Sequence, residues 1–282
     1  MTIKPQCVWP VAAMLGEGPL WSPAEQALWF VDIKKRHIHR FDPVTGARKT
    51  FETPESPGFL VLDGDRFVVG LRSGLHRFDP ASGTFSLLWR VDADQPGNRL
   101  NDGARDPSGR LWFGTMDNSE TVPTGSLYRL DPGGPRAVDT GIAITNGPCF
   151  SPDGKTLYHT DTLKRTIYAF DLADDGSLSG KRAWVMIEDG AGHPDGSVTD
   201  AEGCVWVGLY GGWAARRYSP QGKLISSVGF PCANITKLAF GGPGLKTVYA
   251  TTAWKGLDDK ARAEQPLAGG LFCFESDVAG LG

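Results

Sequence analysis

The sequence is poor in the residues that most often carry metal centres and covalent catalysis. It has five histidines and five cysteines in 282 residues, and no cysteine pair stands in C-x-x-C spacing. The odd set Cys7, Cys149, Cys204, Cys232 and Cys273 indicates neither a disulfide framework nor a zinc ribbon and is read as reduced structural thiols. No G-x-S-x-G elbow, H-E-x-x-H helix or P-loop occurs, which argues against serine hydrolases, zincins and nucleotide-binding folds; GGPGLKT at Gly241 lacks Walker spacing and is a turn. Charge of one sign is missing too. The 29 basic residues meet 32 acidic ones for a net charge of −3, without a like-charge run, so nucleic acid and membrane surfaces are not expected partners. No stretch approaches the roughly 18 uninterrupted apolar residues of a membrane span. The apolar segment from Val8 to Leu15 is broken by Pro10 and has no small-residue cleavage site after it, so a cytoplasmic protein is expected. Long amphipathic helical stretches are also lacking.

What the chain does have is glycine and proline, 37 and 20 residues, in a pattern of short strands and tight turns. The pattern repeats. SPAEQALWFVDIKKRHIHRFDP (Ser22 to Pro43) superposes without a gap on SPDGKTLYHTDTLKRTIYAFDL (Ser151 to Leu172), with nine identities in 22 positions. Weaker copies start at Leu62, Asp106, Thr199 and Gly241. Six units spaced by roughly 40 to 50 residues predict an all-β fold, a six-bladed β-propeller of four-stranded antiparallel blades around a central channel, with residues 1–282 as one domain. A β-sandwich with a second small domain would leave the period unexplained. Closure of the ring predicts that Leu271 to Phe274 pairs with a strand near Cys7 to Val11.

The turn that aligns the units lies just after the first strand of each, so residues a few positions upstream fall on the innermost strands. The gap-free superposition carries Glu17 onto Asn146, and aligning Gly109 and Gly203 with Gly154 brings Asn101 and Asp195 to the same place. Equivalent places in a propeller converge on its axis. Two carboxylates and carboxamide oxygens, with no histidine or thiol, make a hard-oxygen set suited to Ca, Mg or Mn, with Zn or Fe(II) as further occupants. Two acidic side chains facing each other would repel without a cation between them. Asn146-Gly147 and Asp195-Gly196 are also ordinary turn dipeptides; Glu17-Gly18 is not, yet it holds the same register. Arg99, two residues before Asn101, shares its strand face and is read either as a grip on substrate oxygens or as a surface loop residue. His37 and His39 are placed on a partly exposed outer strand of the first blade, and His193 either on a solvated loop or at the border of the site.

With these positions in hand, LGEGPLW, RLNDG with DPSGRLWFGTM, ITNGPCFSPDGKTLYHTDT, HPDGSVTDAEGCVWVG and ITKLAFGGPGLKTVYATTA together give a chain that resembles the SMP-30/gluconolactonase (regucalcin-like) family over its whole length. The resemblance implies one divalent metal ion held by Glu17, Asn146 and Asp195, with Arg99 and Asn101 touching substrate. It also implies hydrolysis of a sugar lactone, gluconolactone or a pentonolactone such as xylonolactone, to the aldonic acid, with Asp195 or hydroxide on the metal as base. Animal members carry an acidic pair after the GTM segment that touches sugar hydroxyls; this chain reads GTMDNSE, so Glu120 is the candidate contact and Asp117 the alternative. Arg99, Asn101 and Asp102 point to a hydroxyl-rich ligand. A monomer with a small-molecule partner is expected. The competing readings are a calcium-binding protein without catalysis, a propeller esterase or phosphotriesterase, and a scaffold for protein partners.

Overall fold

The structure is a computed structural model that describes residues 3–281. Its strands form six four-stranded antiparallel sheets. Five of them are consecutive in sequence, with innermost strands Gly16–Ser22, Pro57–Asp63, Asn98–Arg105, Thr145–Phe150 and His193–Thr199. The sixth, with innermost strand Asn234–Gly241, takes its outermost strand from the other end of the chain. There Gln6–Trp9 pairs with Leu271–Glu275, Cys7 opposite Phe272 and Trp9 opposite Leu271, so the expected ring closure is present.

Hydrophobicity follows position in the blade. The second strands are buried along nearly their whole length, Ala27–Asp32 and Leu111–Asp117 at every residue, because neighbouring blades cover both faces. The outermost strands, such as Arg48–Glu52 and Thr84–Arg90, are largely exposed. The apolar core accordingly divides into six clusters, one for each seam between adjacent blades. Trp29 and Ile38 of the first blade, for example, pack with Phe67 and Phe78 of the second. The recurrent turns are fixed by their acidic residue. Asp106 accepts the backbone N–H groups of Ser108 and Arg110 and the Trp112 indole N–H, each at 2.9 Å. Asp200 does the same for Glu202, Cys204 and Trp206.

One expectation and one alternative reading are corrected. His37 and His39 lie on His37–Phe41, the third strand of its blade rather than an outer one, and His39 is only 3% exposed beneath Trp9, whose ring centroid is 5.2 Å away. Burial pushes the His39 imidazole down to about 4. Asn146-Gly147 and Asp195-Gly196 are not turns but interior positions of Thr145–Phe150 and His193–Thr199. Among the described residues the one α-helix is Asp259–Glu264, and no helix is long and apolar enough to cross a membrane.

Candidate functional site

All six innermost strands change register near their first residues: after Glu17, Pro57, Leu100, Asn146, Pro194 and Ile235. Such irregularities bend a strand and re-aim its side chains. Here they turn Glu17, Asn101, Asn146 and Asp195 into one cavity of about 210 Å³ at the end of the channel, the four residues being between 2% and 5% exposed. The second blade contributes nothing because its equivalent residue is Gly58, where a Cβ would stand 2.5 Å from the Leu100 carbonyl oxygen of the next blade. In the sixth blade Thr236 faces the neighbouring backbone, donating to the Gly16 carbonyl at 2.6 Å.

Hydrogen bonds running around the axis set which atom of each amide faces inward. Arg99 Nη1 donates to Asn101 Oδ1 at 2.6 Å, and Asn101 Nδ2 donates to Asn146 Oδ1 at 2.9 Å and to the Thr145 carbonyl at 2.7 Å. Asn146 Nδ2 then donates to Thr162 Oγ1 at 2.9 Å, and that hydroxyl passes its own hydrogen to the Pro194 carbonyl at 2.9 Å. Asn146 is therefore held with its amide N–H pointing away and its oxygen toward the axis. Its oxygen accepts one donor, the Asn101 amide, and keeps a second lone pair, while the Asn101 oxygen is occupied by the guanidinium.

The two carboxylates are held differently. Glu17 accepts only the N–H of Gly18, at 3.1 Å, and Asp195 has no hydrogen-bond donor among the described residues. Burial, then the nearby Asp102 carboxylate, raises Glu17 to about 8, with Lys237 opposing. Asp195 is raised well above the usual carboxylate range by burial, then by Glu17 and Asp102. Like charges with no ion-paired partner among the described residues, in a desolvated place beside a carboxamide oxygen fixed toward them, are a donor set that fits a hard divalent cation. Three protein oxygens would leave a cation's remaining positions open to small molecules.

The cavity rim comes from connections between second and third strands, which carry Glu120, Leu163 and Lys255, and from Tyr210 at the end of the second strand Val205–Tyr210; Lys255 Nζ is ion-paired to Glu120. Leu15, Met116 and Ile144 supply an apolar wall.

The SMP-30/gluconolactonase/LRE-like family profile matches residues 15–254. The chain belongs to this family. It is 34% identical to a 6-deoxy-6-sulfogluconolactonase of Pseudomonas putida, over 98% of this chain and 96% of that one. It is 36% identical to an L-arabinolactonase of Azospirillum brasilense, over 95% and 90%. A crystal structure described as a calcium-binding protein, regucalcin, from Agrobacterium tumefaciens superposes with a TM-score of 0.95 at 31% identity, covering 100% of this chain and 96% of that one.

Of the residues singled out in sequence, Glu17, Arg99, Asn101, Glu120, Asn146 and Asp195 all line the one cavity, and Arg99 is 3% exposed rather than on a surface loop. His193 begins an innermost strand and borders the cavity, half-buried, so the solvated-loop alternative is corrected. Asp117 does not line it. Its carboxylate accepts Ser119 Oγ at 2.5 Å and the N–H groups of Thr121 and Val122 at 3.0 and 2.9 Å, which hold it far below the usual range and shape the loop that presents Glu120. Asp102 is likewise no ligand contact: it is 1% exposed beneath the cavity floor, ion-paired with Lys237. Lys255, Tyr210 and Lys237 were not legible, because rim loops carry no period; for Lys237 the one available signal was its place beside the Thr236 register position.

Proposed function

We propose that this protein hydrolyses a sugar lactone to its aldonic acid with one divalent cation held by Glu17, Asn146 and Asp195. The observation that carries the reading is the convergence of two buried carboxylates without an ion-paired partner among the described residues and one oriented carboxamide oxygen on the floor of a small open cavity. The lactonase names of the Pseudomonas and Azospirillum relatives support the reaction class, and the calcium-binding description of the Agrobacterium structure supports a divalent cation.

Bound there, the cation would supply Lewis acidity to the lactone carbonyl and counter-charge to the oxyanion. The chain's own residues do the rest. Arg99 and Asn101 orient the sugar through its oxygens, and Glu120 accepts a hydroxyl hydrogen at the rim. Asp195, unencumbered by hydrogen bonds, accepts the proton of the attacking water and returns it to the ring oxygen as the acyl C–O bond breaks. Leu15, Met116 and Ile144 restrict water to the polar side of the cavity. A non-catalytic calcium-binding role would call for a filled ligand shell, whereas three protein oxygens leave an open one. An esterase for apolar substrates would need an apolar floor, whereas this one is Glu17, Asn101, Asn146 and Asp195.

The test is proton release from a panel of aldonolactones, before and after chelation and with metals restored singly. Activity lost on chelation and recovered with metal is expected; no rate above spontaneous hydrolysis on any lactone, with metal binding intact, refutes the proposal. Asp195→Asn is expected to lower kcat by at least about a hundredfold, and full turnover by that variant would remove Asp195 as base.

A further inference from the structure

The mouth of the cavity carries more positive charge than a neutral sugar uses. Lys255 lines it and Arg99 sits at its wall, while Lys34, on the connection after Ala27–Asp32, lies just outside the lining, half-buried, with its ammonium 3.5 Å from Asn118 Oδ1 on the same loop as Glu120. Against these three cations the rim sets one carboxylate, Glu120, paired to Lys255. Glu17 and Asp195 lie on the floor, where the proposed cation matches their charge, and Asp102 is matched by Lys237. The excess is local, because the chain as a whole is net −3.

Two observations indicate that the cations are held for a ligand rather than for one another. Arg99, 3% exposed, leaves Nε buried without a partner while Nη1 is committed to Asn101 and to the Leu100 carbonyl. A buried guanidinium N–H without an acceptor costs free energy that an incoming oxygen would recover. Lys34 has its ammonium disfavoured by burial and then by Arg99 and Lys255, so the three share one field, and an anion placed among them relieves all three.

We propose that the mouth receives an anionic substituent on the sugar lactone, a carboxylate, sulfonate or phosphate remote from the reacting carbonyl, held by Lys255 and Lys34. This rests on the lactonase reading and narrows its substrate class. The lactone ring lies over the floor with Arg99 and Asn101 on its oxygens. Its charged end points to the rim, where Lys255 turns from Glu120 to the anion and Glu120 is freed for a hydroxyl. Lys34 closes the other side from the first blade. Oxyanions accept several such donors at once in charge-assisted bonds, whereas a neutral hydroxyl accepts at most two and carries no charge.

The test compares kcat/KM for gluconolactone with the corresponding lactones carrying a carboxylate, a 6-phosphate or a 6-sulfonate, on wild type, Lys34→Met and Lys255→Met. At least one anionic lactone is expected to exceed gluconolactone by about tenfold or more, the charge-assisted contact being the difference. The best of the three identifies the anion. Each lysine variant is expected to lose about tenfold more on that lactone than on gluconolactone, and rising salt to lower kcat/KM for the anionic substrate selectively. Rates for neutral and anionic lactones within about threefold, or equal losses on both in the variants, overturn the inference and leave the lactonase reading standing. Hydrolysis of none of the four overturns the inference, and the lactonase reading then falls only if the wider aldonolactone panel is also inert.

Discussion

Glu17 and Asp195 are costly to keep charged in the absence of a cation, and that cost has a sign. Glu17 is raised from 4.5 to about 8, and Asp195 is raised as well, so the folded metal-free protein binds protons more tightly than the unfolded chain. A raised carboxylate contributes stability that is fully present below its unfolded pKa and is lost as pH rises through its folded one. Metal-free protein should therefore lose thermal stability between about pH 4.5 and 8, a slope that Glu17→Gln flattens and saturating divalent cation removes. Thermal melts across that range check it; a flat profile in metal-free protein would contradict the charge state argued for the floor. Thr162 supplies a second prediction. Its hydroxyl accepts the Asn146 amide and hands its hydrogen to Pro194, so Thr162→Val frees that amide to rotate. Cation affinity should fall about tenfold by calorimetry, with the fold unchanged by circular dichroism.

The innermost strand is the element that makes the site, and much of it could be read before any coordinate was known. The repeat fixed which residues share a register, and a shared register in a radial fold is a shared direction, so Glu17, Asn101, Asn146 and Asp195 could be brought together from spacing alone. What spacing does not contain is the side chain that crosses the axis. Lys237 reaches from the sixth blade over Gly196, where a Cβ would stand 2.5 Å from its Cγ, to Asp102 of the third. Asp102 in turn accepts the Gly147 N–H at 2.9 Å, next to Asn146. The pair thus ties the innermost strands of the third, fourth and sixth blades together underneath the floor. Its members are 6% and 1% exposed, so removing one leaves a buried charge alone. Lys237→Met should cost roughly 3–5 kcal/mol in urea unfolding, and Asp102→Asn with Lys237→Met should recover part of it. A single variant as stable as wild type would show that the pair carries no strain-bearing role. His39 was misplaced for a related reason: alternation gave its face correctly, but the Trp9 ring that buries it comes from a distant part of the sequence.

Closing the ring puts a burden on one short strand. Five blades are made of consecutive strands, while the sixth depends on Gln6–Trp9 to complete its sheet. That strand also reaches the first blade: the Trp9 ring packs edge-on against Phe30 at 5.6 Å, and the Arg48 guanidinium stacks on it while donating to the Val8 carbonyl at 2.8 Å. It therefore covers the outer part of the seam between the sixth and first blades, where Trp21, Phe30 and Tyr249 form the core. Each seam is a separate apolar cluster, yet every blade has two seams, so opening one exposes a face on both neighbours. In an open array the end blades could fray independently; in a closed ring loosening at this seam has to be carried by all six. Deleting Gln6–Trp9 removes a large half-buried aromatic and four residues of sheet, about 3 kcal/mol by the cost of truncating packed side chains. For a chain of this size that is a fall in Tm of roughly 6 °C or more. The transition should remain single, because Glu17 of the first blade and Asp195 of the fifth share one floor across the weakened seam. Calorimetry distinguishes the outcomes: one transition moved down supports closure as the cooperative unit, and two transitions would mean that the blades beside the seam melt on their own.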